Sequence, residues 1–164
     1  PENDFEEIFL KYGDYYIEKA EECISLLYDS GYIDIIKRSM RRSEVCLGNT
    51  DFTNLRKQKN IEIISIDDCA YNTVEMDAFY LLNKYSRREL VVNYKKLIEN
   101  FCVYESLDTN SYNFIAALLS YPYDFLRCCN RYRENKKDWS IEDYKKSLER
   151  IIIRDRKGFI SLMR

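Results

Sequence analysis

Histidine is absent from the 164 residues of this chain. Its loss excludes mechanisms that need an imidazole base, Ser-His and Cys-His pairs among them, and excludes histidine-rich zinc sites. Glycine is scarce too: the four present stand apart at 13, 31, 48 and 158, so no glycine-rich phosphate-binding loop is encoded. Net charge is nearly nil, with 26 Lys and Arg against 28 Asp and Glu, which leaves −2 and removes the electrostatic ground for nucleic-acid binding. Charges interrupt every hydrophobic run before it reaches the ~18 apolar residues that a membrane-spanning helix needs, so no membrane partner is expected. The chain opens on Pro1 instead of Met, with neither the basic start nor the apolar run of a secretory signal. A fragment or trimmed product of a protein that is not secreted is the expectation.

Six cysteines stand at 23, 46, 69, 102, 128 and 129, and none makes a C-x-x-C pair or another metal-knuckle spacing. No metal site is expected from them. Cys128 and Cys129 are adjacent and cannot easily bridge to each other, which points to small core hydrophobes in a reducing compartment such as the cytoplasm.

What is present is mostly helical periodicity. Phe5, Ile8, Phe9, Tyr12, Tyr16, Ala20, Cys23, Ile24 and Leu27 mark one buried face and predict a helix over 4–29, stopped by Gly31. Ile33, Ile36 and Met40 predict a second over 32–42, ending in the basic run Lys37 to Arg42, which is expected to be solvated. Residues 45–69 differ: a polar stretch from Gly48 to Asn54, then a hydrophilic turn between Leu55 and Ile61, suggest a small hairpin whose second strand is Ile61 to Ser65. Helical periods return over 73–163. Asn72 and Glu75 resemble a capping box; Leu90 to Phe101, Tyr112 to Leu119 and Tyr123 to Tyr132 mark three further helices. Ser140 with Asp143 opens a last one through Tyr144, Leu148, Ile151, Ile152 and Phe159.

Two polar motifs flank the hairpin. Leu47-Gly48-Asn49-Thr50-Asp51-Phe52-Thr53-Asn54 resembles the catalytic loop of aminoglycoside-phosphotransferase-like kinases, which reads histidine, glycine, aspartate, four residues, asparagine. Ile64-Ser65-Ile66-Asp67 resembles the same family's strand-end isoleucine, aspartate, phenylalanine, aspartate. In that family the loop aspartate deprotonates the acceptor hydroxyl, and the asparagine and the strand-end aspartate hold magnesium. Here Leu47 stands at the histidine position, Asn49 at the catalytic aspartate and Ser65 at the metal-binding aspartate. Gly48 and Asn54 agree with the pattern. Asp77 matches an aspartate that buttresses the loop, and Asp67 completes the frame of the former site.

Further segments narrow the likeness to the kinase-like spore coat proteins of the CotS type. They are Phe5 to Tyr32, with its Ala20-Glu21-Glu22 and Leu26 to Tyr32, Asp67-Asp68-Cys69-Ala70-Tyr71, Leu118 to Phe125, and Asn130-Arg131-Tyr132 followed by Trp139. The resemblance implies a mainly α chain with a small β-hairpin, the C-terminal (large) lobe of a protein-kinase-like fold whose N-terminal lobe is absent, forming one unit over 1–164. It also implies a pseudokinase: no catalytic residue intact at 47, 49, 54 and 65, no metal and no cofactor. The acid-to-amide change at Asn49 removes a base of ~10²–10⁴-fold effect, and Ser65 removes an anionic metal ligand. Asp51 and Asp67 lie several ångströms from those positions where the chemistry tolerates about ~1 Å. The implied partners are other spore coat proteins, or a second copy through the exposed cleft, in the mother-cell cytoplasm and then the coat. The alternative is an ATP-dependent small-molecule phosphotransferase when joined to its N-lobe. Two further possibilities concern surfaces: cross-linking through the fifteen tyrosines, most of them at core spacing, and an acidic partner for Arg150, Arg154, Arg156 and Lys157 on the last helix.

Overall fold

Asn3 begins the first helix by turning its side-chain oxygen back onto the amides of Phe5 and Glu6, at 3.0 and 3.1 Å. From there α1 runs Asp4–Asp29 with Phe5, Tyr16, Ala20 and Cys23 on its buried face. Gly31, at φ +63, turns the chain directly into α2 (Tyr32–Arg42), a left-handed conformation that costs glycine little. The computed structural model describes residues 1–135 and 137–158, with side chains as far as 155. Four short strands follow: β1 (Val45–Cys46), β2 (Leu55–Lys57), β3 (Ile61–Ile63) and β4 (Ala70–Tyr71). The remaining helices are α3 (Glu75–Arg87), α4 (Tyr94–Tyr104), α5 (Thr109–Ser120), α6 (Tyr123–Arg133) and α7 (Ile141–Gly158). The chain is mainly α, as its periodicities predict.

Two compact units are distinguished. One joins Pro1–Ser25 to the chain from Ser120 onward; the other is Leu26–Leu119. In the first, α6 packs on α7, and an aromatic core forms around them: Tyr16 stacks on Phe125 at 3.8 Å and Phe5 on Tyr132 at 4.1 Å, with Tyr144 edge-on to Phe5. Leu148, Ile151 and Ile152 complete it from α7, at the spacing of one helical face. Ser140 caps α7 as expected: its Oγ accepts the Asp143 amide and the Asp143 carboxylate accepts the Ser140 amide. Arg154 is paired to Asp124 at 3.0 Å, so it is not a solvated charge; Arg156, Lys157 and Phe159 lie outside the residues whose side chains are described.

In the second unit the buried apolar residues include Ile35, Cys46, Ala78, Leu82, Ile98, Cys102 and Ile115, and α3 packs against α4. The hairpin is present, β2 pairing with β3 antiparallel with Leu55 opposite Ile63. Its second strand ends at Ile63, because from Ile64 onward the hydrogen bonds run to Asn54 instead of to β2. Sequence periodicity gives no sign of the other pair, β1 with β4, in which Val45 faces Tyr71 and Cys46 faces Ala70. Two-residue strands are too short to show alternation.

Three local expectations are corrected. The 72–75 capping box does not form: the Asn72 side-chain oxygen accepts the neighbouring Thr73 amide, while Glu75 is fully buried and bound to Arg38 and Ser111. The basic run 37–42 is not wholly solvated: the Arg38 side chain is largely buried, and its fork meets Glu75 at 2.8 Å and Glu44 at 3.1 Å. The helix expected from Leu90 begins instead at Tyr94, since the Asn93 side chain accepts the Lys96 amide and fixes the start there.

Candidate functional site

All the residues singled out from the two polar motifs lie in the second unit. The antiparallel pair β1–β4 brings the loop after Cys46 beside the loop before Ala70. Gly48 is at φ +75, and a Cβ there would lie 2.4 Å from the backbone oxygen of Asp68. The two loops touch, and only glycine allows it.

Asp77, in the first turn of α3, lies beneath the first loop. Its carboxylate accepts the amides of Leu47 at 2.8 Å and Gly48 at 2.9 Å, and its carbonyl accepts the Thr50 hydroxyl at 3.2 Å. Asn54, 3% exposed, joins the two loops. Its Nδ2 donates to the carbonyls of Asn49 and Ser65, both at 2.9 Å, and its Oδ1 accepts the Ser65 amide at 2.7 Å. Both ends of that amide are thus committed to backbone. Ser65 donates its hydroxyl to Asp67 at 2.8 Å and accepts the Asp67 amide at 3.0 Å, a small ring facing solvent.

Of the positions read from the sequence, the structure therefore gathers Leu47, Gly48, Asn49, Asn54, Ser65 and Asp77 into one hydrogen-bonded cluster, with Asp67 at its exposed side. The sequence did not point to Lys84. Its ammonium lies 2.9 Å from Asp51 and 3.2 Å from the Asn49 side-chain oxygen. Lys84 follows Asp77 by seven residues, two helical turns, so the spacing that places both on one face of α3 was there to be read. Asp51 also accepts the amide and hydroxyl of Thr53. The bonds from Lys84, then those from Thr53, hold its carboxyl well below the usual carboxylate range. Burial pushes the Cys46 thiol up to about 12 and the Cys102 thiol up to about 11.

No protein-family model matches the chain. In sequence it is similar to spore coat protein S of Bacillus subtilis (strain 168), 26% identical over 160 residues, a match covering 93% of this chain and 45% of that protein. In structure it is similar to an aminoglycoside phosphotransferase from Alicyclobacillus acidocaldarius subsp. acidocaldarius DSM 446, with a TM-score of 0.77 at 17% identity, covering 99% of this chain and 50% of that one. The chain has a kinase-like fold. It spans about half the length of each of these two proteins.

A kinase-like fold implies magnesium at such a loop junction, and the side chains here do not suit it. Magnesium favours carboxylate oxygens open to an octahedral shell. The Asn54 side chain is turned to backbone at both ends, Asn49 presents its oxygen to an ammonium, Asp51 is paired with the same ammonium, and Ser65 offers a neutral hydroxyl bonded to Asp67, which leaves the exposed Asp67 as the carboxylate in this set that could face a metal. Among the described residues no three acidic or cysteine side chains converge as a metal cluster.

Proposed function

We propose that the chain is the C-terminal lobe of a kinase-like protein that no longer transfers phosphate and works as a structural or interaction module of the spore coat. The observation that carries this reading is the state of the 49 and 65 positions. An amide and a hydroxyl stand where the family has a base and a metal ligand, and both are engaged in internal hydrogen bonds. Neither can accept a proton from an acceptor hydroxyl at neutral pH, and neither neutralises phosphate charge through a metal. The similarity to spore coat protein S supports the coat setting; production in the mother-cell cytoplasm before assembly is part of the same proposal. Among the described residues no helix is long and apolar enough to cross a membrane.

An interaction role also accounts for the apolar side chains that the second unit leaves in water. Ile61, Ile64 and Ile66 are 72, 66 and 68% exposed along the hairpin and the strand end after it. Other coat proteins, or a second copy, are the partners this reading implies.

The test uses the full-length protein, because the chain described spans about half of each matched relative. Magnesium and ATP at a hundredfold excess over the dissociation constant would stabilise a working enzyme by ~2.7 kcal/mol. No change in Tm is expected. A rise in Tm that a chelator abolishes, together with ATP consumption, would support the alternative phosphotransferase instead; a rise that survives the chelator would indicate nucleotide binding without metal. Tagged protein that stays in the mother-cell cytoplasm and never reaches the spore surface would remove the coat assignment.

A further inference from the structure

The mismatch between this donor set and magnesium leaves a physical question: what holds the loop over residues 49–54 in place. A loop of this kind gathers carbonyl and carboxyl oxygens at close range and needs positive charge or hydrogen-bond donors to keep them together. Donors close by in the chain supply part of this. Asn54 holds the Asn49 carbonyl at 2.9 Å, Thr53 holds one Asp51 oxygen, and the Asp51 carbonyl closes a turn on the amides of Asn54 and Leu55 at 3.0 and 2.8 Å. Two side-chain oxygens of the loop, Asn49 Oδ1 and Asp51 Oδ2, both accept from Lys84.

Helix α3 thus holds the loop from below at two places. Asp77 takes the amides of Leu47 and Gly48, and Lys84, two turns further on, takes the oxygens of Asn49 and Asp51. The acceptor meets donors and the donor meets acceptors. The Asp51 side chain is only 10% exposed, so its charge is poorly served by water, and the Lys84 ammonium lies 2.9 Å from it.

We propose that Lys84 is the resident cation of this loop: its ammonium supplies from within the chain the charge that holds Asn49 and Asp51 together, and the loop is ordered with no divalent ion. This rests on the non-catalytic reading of the same loop. Lysine suits the role because it carries one compact charge with three donors, enough to bridge two oxygens and leave one donor to solvent.

The experiment compares amide hydrogen exchange over residues 48–54 in the full-length protein and in Lys84→Met, Lys84→Gln and Lys84→Arg, each with and without millimolar Mn²⁺ alone. In the unaltered protein exchange is slow and Mn²⁺ does not change it. Both neutral variants are expected to exchange at least about tenfold faster in this loop, with Lys84→Arg recovering most of the protection. Unchanged exchange in the neutral variants would overturn the proposal, as would a loop in the unaltered protein that Mn²⁺ protects further. Should both neutral variants fail to fold, Asp51→Asn reads the bridge from its other end, and full protection there would overturn it equally. Phosphate transfer from magnesium ATP by the unaltered protein would refute the non-catalytic reading without touching these exchange rates, so the two failures are distinguishable.

Discussion

The carboxylate of Asp77 accepts the backbone amide of Gly48 at 2.9 Å, tying the start of α3 to a loop 29 residues earlier in the chain. A second bond from the Leu47 amide, at 2.8 Å, makes this a two-point grip by a charged acceptor. Asp77→Ala strands both amides under the loop and is expected to cost about 2–4 kcal/mol, since hydrogen bonds to charged groups contribute more than neutral ones. Asp77→Asn keeps one acceptor oxygen and should cost less. Urea unfolding of the three proteins gives the order; equal midpoints for Asp77→Ala and the parent would refute the buttress.

The glycines separate strain from space. Gly48→Ala demands a left-handed residue with a Cβ 2.4 Å from the Asp68 backbone oxygen, which cannot swing aside. A loss of about 2–4 kcal/mol is expected. Gly13→Ala is the control: its Cβ meets the Phe9 ring at an ordinary 3.4 Å within α1, and alanine there should add about 0.5–1 kcal/mol. Thermal unfolding should move in opposite directions for the two variants.

Buried charge makes a third prediction. Glu75 is 0% exposed and relies on both Arg38 nitrogen contacts at 2.8 Å and on the Ser111 hydroxyl. Arg38→Met leaves that carboxylate without its cation and is expected to cost about 3–5 kcal/mol. Arg38→Met combined with Glu75→Leu should recover part of the loss, because the uncompensated charge is then gone. If the double variant proves less stable than the single one by the full additive amount, the pair is not coupled.

Acid sensitivity follows from Asp51. Lys84 and Thr53 hold its folded carboxyl below the ordinary 3.8, so the unfolded chain takes up the proton first as pH falls. The stability it contributes is complete above about pH 4–5 and is lost on going down through the folded value. Lys84→Met removes the main cause of that shift, and its urea midpoint should depend less steeply on pH below 4 than the parent's. Asp155 runs the other way: burial raises its carboxyl, so it weighs against stability as pH rises above 3.8. Asp155→Asn should therefore lessen the decline on that side.

Much of the fold was legible because helices declare themselves at short range. The spacing of Phe5, Tyr16, Ala20 and Cys23, the stop at Gly31 and the cap at Ser140 each depend on residues within a few turns of one another. The misreadings at Glu75 and Arg38 involve distant partners, whereas the start of α4 was set by the nearby Asn93 cap. Glu75 has the spacing of a cap but lies beside Arg38, 37 residues away, and that contact outcompetes the local one because a fully buried carboxylate needs a cation. Arg38 sits in a basic run whose other members give no reason to single it out.

By itself the sequence determined the helical class and the spacing of Gly48, Asn49, Asn54, Ser65 and Asp77 in the two motifs, since each is a matter of residue type at a fixed position. Only tertiary structure decided what those side chains touch. The short strands β1 and β4, 25 residues apart, set the two loops in contact. α3 then brings the Lys84 ammonium up to Asn49 and Asp51. Type and spacing put Asn49 and Asp51 in one loop; the cation beside them is set by which side chain the fold carries to within about 3 Å of their oxygens, and a contact of that kind across 33 residues leaves no local pattern.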